Sequence, residues 1–331
     1  NDYTEKLHSA FHKGSTDADV ALLLLMCSKL EVLHYCPPES FEKTLVHGAF
    51  RFSSMGPSEA ALSAFNSCSE TSLQCLREIV LQPARWDTGV KAGWISLESI
   101  GLAGGYAIRQ LTPILQLSKL SILKVESLCL HSPHTQYLPK MPTLRYLSVT
   151  SACFDSTGVS RLLDQCPALH TLLLYWGHPN WCDGIPTWDE ISAVIARKPN
   201  DIRCLELLHV DGATAGECIG DMQDAGSLRD FTVTSSILFG LQYEHETIYN
   251  EESRLTMILP YSLQILGIVQ ADENDATWHD QVLWTLMTDA RFKTLDTIVV
   301  HRSRAFSVDV KSSSWELDAS DSTRIVLQRE T

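Results

Sequence analysis

Nowhere in this sequence do lysine and arginine gather into a run, and acidic residues outnumber basic ones 40 to 26, for a formal charge of −14. A chain this acidic repels a phosphate backbone, so nucleic acid is not an expected partner. Long apolar runs are missing as well. The longest, Val20 to Cys27, has eight residues, where a membrane-spanning helix needs about 20. It reads instead as a buried helix, and no membrane partner is expected. The first 19 residues are polar and mixed in charge, unlike a secretory signal. The chain opens on Asn1 rather than Met, which implies a mature form or an excised region. Ten cysteines are scattered at positions 27, 36, 68, 75, 129, 153, 166, 182, 204 and 218, without a Cys-x-x-Cys pair. In a long chain with no secretory signal such cysteines are usually reduced, small and buried. The expectation is therefore a cytoplasmic or nuclear protein with neither a disulfide nor a zinc framework.

What is present is apolar material in a repeating order. Hydrophobic residues make up 44% and charged residues 20%, a globular balance. The 331 residues exceed the roughly 100–200 of an ordinary single core. One phrase recurs: apolar, two variable, apolar, one variable, apolar. It is found at Leu30-Leu33-Tyr35, Leu76-Ile79-Leu81, Leu120-Leu123-Val125, Leu144-Leu147-Val149, Leu169-Leu172-Leu174, Ile202-Leu205-Leu207, Leu228-Phe231-Val233, Leu263-Leu266-Ile268 and Leu295-Ile298-Val300. The phrases predict nine parallel strands over 30–35, 76–81, 120–125, 144–149, 169–174, 202–207, 228–233, 263–268 and 295–300.

Between them, apolar residues at three- and four-residue spacing predict helices over Asp17–Ser28, Ser58–Ser67, Thr157–Gln165, Thr187–Arg197, Gly216–Asp224, Glu251–Leu259 and Trp278–Ala290. Ser58, Thr157 and Thr187 stand where capping residues belong. Breakers such as Met141-Pro142-Thr143, Cys166-Pro167-Ala168 and Ala225-Gly226-Ser227 then turn the chain into the next strand. A strand with one apolar face and a helix with one apolar stripe bury both only by stacking on further copies. The expected architecture is α/β: a solenoid over 1–302 with a curved parallel sheet on its concave face and helices on its convex face. Residues 303–331 read as a cap of two strands, Phe306–Val310 and Arg324–Gln328, around an acidic turn.

Three of the spacings between phrases, 24, 25 and 26 residues, match the leucine-rich repeat. The units resemble leucine-rich repeats of the ribonuclease-inhibitor-like kind over about residues 16–302. The phrases running from Leu22 to Leu33 and from Met141 through Pro142, Thr143 and Leu144 to Leu147 resemble those of fungal F-box/leucine-rich-repeat proteins. That resemblance implies a recognition module, the substrate-receptor part of a ubiquitin ligase. No F-box stands in this chain.

The expected site follows from the repeat. The variable residue between the last two framework positions, and the two residues after them, are read as facing the concave side. One patch stands out there: Tyr175 and Trp176 beside Leu208 and His209, with Glu206 and Tyr146 near. The loop from Gly177 to Trp188, carrying Trp181 and Trp188, forms a wall. Exposed aromatics on rigid strands are common anchors of protein or peptide partners. The alternative is a small-molecule-binding protein or an atypical enzyme with its pocket at the same patch.

No cofactor, metal or catalytic residue is assigned. His178, Cys182, Asp183 and His209 fit no zinc spacing. The glycine-rich stretch from Gly101 to Gly105 lacks the Gly-Lys-Ser/Thr of a phosphate loop. Asp272-Glu273-Asn274-Asp275 lacks the rest of a calcium hand.

Overall fold

A computed structural model describes residues 2–13, 15–26, 30–35, 76–81, 108–126, 128–176, 187–198, 201–209, 218–239, 255–269, 276–301, 314–321 and 324–329. The expected helix at Ser58–Ser67, the expected strand at Phe306–Val310 and Trp181 lie outside them. The chain divides into two compact units, one of residues 1–153 and 164–169, the other of 154–163 and 170–331.

The first unit opens with two helices, α1 (Asp2–His12) and α2 (Thr16–Met26). Ala18, Ala21 and Leu24 of α2 are buried, yet Leu23 is 58% exposed, so the leucine run is a helix but not one buried all round. Next come β1 (Val32–Tyr35), β2 (Glu78–Leu81), α3 (Ile108–Leu115), β3 (Ile122–Glu126), β4 (Cys129–Leu130), α4 (Ser132–Thr135) and β5 (Tyr146–Phe154). β1, β2, β3 and β5 pair in that order, all parallel, and β4 pairs with β5. Leu33, Ile79, Leu123 and Leu147 lie in register across them and are all buried.

The second unit holds α5 (Ser156–Gln165, of which it contains the first eight residues), β6 (Thr171–Trp176), α6 (Trp188–Arg197), β7 (Cys204–His209), β8 (Asp230–Thr234), α7 (Ser235–Phe239), β9 (Ile265–Val269), α8 (Ala276–Thr288), β10 (Thr297–His301), β11 (Trp315–Asp321) and β12 (Arg324–Arg329). β6 to β10 run parallel in chain order. β12 then pairs antiparallel with β10, and β11 antiparallel with β12. Leu172, Leu205, Phe231, Leu266, Ile298 and Leu327 form one register row, each 0% exposed. Each unit is thus a leucine-rich-repeat solenoid of the expected α/β class.

All nine expected strands are present, and each begins two residues later than expected. The first apolar residue of each phrase belongs to a turn, not to the strand. The N–H of Leu120, Leu144, Leu169, Leu228, Leu263 and Leu295 donates to the carbonyl three residues back, at 3.0–3.3 Å. Pro142 and Pro167 occupy the second position of two of these turns, where a fixed φ suits a type I turn. The side chain of each of these leucines is buried beneath its turn. One residue ahead of β1, β2, β3, β6, β7, β8 and β9, a carbonyl accepts two N–H groups from the next coil. Ser121 O takes those of Arg145 and Tyr146, and Arg229 O those of Gln264 and Ile265.

Neighbouring turns are also tied by hydroxyls. Thr143 Oγ1 donates to Leu120 O at 2.9 Å, Ser262 Oγ to Leu228 O at 2.8 Å and Thr294 Oγ1 to Leu263 O at 2.9 Å.

Two expectations are corrected. Within the expected helix at Gly216–Asp224, the described residues 218–224 are not helical. Ile219 N–H donates to Ile237 O and Met222 N–H to Ile258 O, so these amides serve other elements, and both side chains are buried as plugs. Gly220 lies so close to α6 that a β-carbon there would meet the Asp189 carboxylate at 1.7 Å. Cys153 is the other: it is disulfide-bonded, against the expectation of reduced thiols throughout, whereas Cys129, Cys166, Cys204 and Cys218 take part in no disulfide.

Leu172→Ala and Leu147→Ala should each cost about 2–5 kcal/mol, the loss of a buried side chain plus its cavity. Thr294→Val, which removes the hydroxyl tie, should cost about 1 kcal/mol. Chemical denaturation of each variant measures both; a neutral result at both leucines would contradict the register.

Candidate functional site

Alternation along each strand decides which side chains can meet a partner. With Leu172 and Leu174 in the core, Thr171, Leu173 and Tyr175 face the opposite side, and Trp176 returns to the core. Trp176 is 1% exposed, stacked edge-on against Phe154 at 5.2 Å. Trp188, at the start of α6, is 4% exposed and meets the same ring at 5.7 Å. Both tryptophans were expected at the binding face. They are core residues: a six-residue strand places Leu172 and Trp176, its second and sixth positions, on one side, and Trp188 turns from the first residue of α6 onto Phe154. His209 is in register with Trp176 and shares its side; its backbone N–H donates to Thr234 Oγ1 at 2.9 Å.

The remaining expected residues divide between the units. Tyr146 is in the first, half-buried, with the Lys124 ammonium 5.5 Å from its ring centroid. Lys124 and His34 both approach Glu78, at 3.8 and 3.9 Å, so charge on this part of the sheet is largely self-matched.

Tyr175, Glu206 and Leu208 come together on the open face of the second unit. Tyr175 and Leu208 are register partners, and the Tyr175 hydroxyl donates to Glu206. The row through Glu206 continues as Thr232, Gly267 and Val299. A β-carbon on Gly267 would meet Thr232 Oγ1 at 2.5 Å, so the missing side chain is what lets Thr232 lie over the next strand. The row through Cys204 continues as Asp230, Ile265 and Thr297.

Sequence reasoning missed Asp230 and Cys204, although both stand one position before a framework residue, a signal readable once the strand starts are correct. Burial, and then the charge of Glu206, holds the Asp230 carboxyl above the usual range, with a hydrogen bond from Cys204 opposing. The Cys204 thiol is pushed up to about 12, by burial first and by Asp230 and Glu206 next. It stays protonated at neutral pH and is no thiolate nucleophile. No lysine, arginine or histidine pairs with Glu206 or Asp230 among the described residues.

A cavity of about 270 Å³ opens at the turn ahead of β8, lined by Ile195, Lys198, Ile202, Asp224 and Ser227 among others. None of the expected site residues borders it. The described residues contain no cluster of three or more metal-ligating side chains, and none of their helices is long and apolar enough to cross a membrane.

Comparison with known proteins adds little. No family model matches the chain, and no curated protein matches it. Among solved structures it is similar to a TLR13–ssRNA13 complex, at 13% identity and a TM-score of 0.37 over 71% of this chain. The chain spans 28% of that protein's length, and the likeness carries no argument about partner.

An acid whose pKa is raised on folding contributes its full stability below its unfolded pKa and loses it as pH rises through the raised value. Asp230→Asn should therefore melt above wild type at neutral pH, and the gap should close as pH falls past about 4, the ordinary aspartate value. Trp176→Ala should lose about 3–5 kcal/mol of stability. Trp176→Phe should lose far less, because the buried indole N–H has no acceptor to forfeit.

Proposed function

We propose that this chain is a recognition module that binds a protein or peptide on the open sheet face of its second unit. The observation that carries the reading is the Tyr175–Glu206–Leu208 group on two adjacent parallel strands, with Asp230 on a third. Tyr175 and Leu208 offer apolar area on rigid backbone, at little cost in side-chain entropy. Glu206 and Asp230 offer charge with no cation of the described residues beside it, which suits a basic group on the partner and disfavours phosphate. Tyr146 belongs to the first unit, and Trp181 lies outside the described residues, so neither carries this reading. β11 and β12 continue the apolar rows antiparallel at the C-terminal end, which supports their role as a cap. A narrower reading, the substrate receptor of an F-box-type ubiquitin ligase, rests on the repeat phrases alone. Co-precipitation of the full-length protein with an F-box adaptor tests it separately.

Selection of a random peptide library on the folded chain tests the face. Tyr175→Ala and Glu206→Gln should each weaken the selected peptides by about 1–2 kcal/mol while unfolding stays cooperative, with Glu206→Gln melting at or above wild type because it removes a like charge beside Asp230. Peptides indifferent to both changes would place binding elsewhere. Tight single-stranded RNA binding lost on Tyr175→Ala would overturn the choice of a protein partner.

A further inference from the structure

The two helices that open the first unit carry a feature unrelated to the sheet. His8 and His12 lie four residues apart on α1, so one ring sits a turn above the other on a single helix face. Both residues are exposed. Their Nε2 atoms are 3.0 Å apart, the ring centroids 4.3 Å apart and the ring planes at 75°. One imidazole donates its Nε2–H to the lone pair of the other. Leu7, on the same helix, is buried, and α1 packs on α2, so the backbone beneath the pair is anchored by contacts that do not involve the imidazoles.

We propose that His8 and His12 chelate a divalent first-row transition ion with high affinity for imidazole, nickel(II) or copper(II). Imidazole nitrogens bind such ions at about 2.0–2.1 Å. At 3.0 Å the two nitrogens lie within the span of one ion's coordination sphere, and a turn of the side-chain torsions aims both lone pairs at it. Imidazole suits both ions, and the general order of affinity places copper(II) above its neighbours. Binding requires each neutral ring to hold its proton on Nδ1, leaving both Nε2 lone pairs for the metal. It exchanges the hydrogen bond between the two rings for two bonds to the ion. Two protein ligands leave the other coordination positions to water or to a donor from another molecule, so the ion is exchangeable and the fold does not depend on it. The same geometry of histidines at i and i+4 underlies metal binding by His-x-x-x-His helices generally.

Calorimetric titration of the untagged full chain with nickel(II), which does not oxidise free thiols, tests the site. Zinc(II) is the comparison ion. His8→Ala and His12→Ala should each weaken nickel(II) by about a hundredfold, the loss of the second arm of a chelate, while circular dichroism keeps its helical signal because alanine favours an exposed helix. Nickel(II) should bind more tightly than zinc(II), and its paramagnetism should broaden the ring-proton signals of His8 and His12 ahead of those of other histidines. Full nickel(II) affinity in either variant, or broadening centred on other histidines, overturns the chelate. Zinc(II) tighter than nickel(II) overturns the assignment to nickel(II) or copper(II).

Discussion

Register in this protein is set by a turn. Ahead of β3, β5, β6, β8, β9 and β10, an apolar residue closes a three-residue hydrogen bond and drops its side chain into the core. At the mouths of β3, β6, β8 and β9 a carbonyl then accepts two N–H groups from the next coil. Because strand side chains alternate with period two, a slip of one residue would send every framework leucine to solvent. The turn removes that freedom by burying the leucine before pairing begins. The hydroxyl ties from Thr143, Ser262 and Thr294 fasten each turn to the one before it. Which side chains line the open face, and so what this protein can touch, is a consequence of that anchoring.

The framework was legible because burial leaves a mark on composition. All nine phrases lead into parallel strands, and the helices at Thr157–Gln165, Thr187–Arg197 and Trp278–Ala290 are found within two residues of their expected bounds. The offset in strand starts had a cause that hydrophobicity does not encode. A leucine buried under a turn and a leucine buried in a strand look alike in sequence. The same ambiguity produced the expected helix at 216–224. There Ile219 and Met222 sit three apart as they would on a helix, but their amides donate to carbonyls elsewhere in the chain.

The site was less legible, and the error was geometric. Trp176 and His209 were assigned to the face of Tyr175 and Leu208, whereas adjacent strand residues point opposite ways. A large aromatic following a framework triplet is as well suited to the core as to a partner, and Phe154 and Trp188 supply the apolar surroundings that decide it. Glu206 and Leu208 do lie on the open side, as expected, because of their places relative to the framework residues. Asp230 was missed because its strand was thought to begin at Leu228, which made it look like one residue of a turn. Cys153 shows the limit of a compartment argument from composition: the absence of a signal-like segment did not determine its redox state.

The open face of the second unit also makes poor sense as a device for stability. Glu206 and Asp230 come from adjacent strands, both half-buried, and no cation of the described residues offsets either. Like charges on neighbouring strands are unfavourable, and burial deepens the cost, as the raised Asp230 carboxyl records. The first unit shows the cheaper arrangement in the same fold, with Lys124 and His34 drawn up to Glu78. A face that keeps its carboxylates uncompensated beside an ordered tyrosine gives up stability that a threonine or serine at the same positions would retain. Such local losses concentrate where a surface must meet something else. A cation arriving on a partner would relieve the repulsion between the two carboxylates, so part of the binding free energy would already be stored in the free protein.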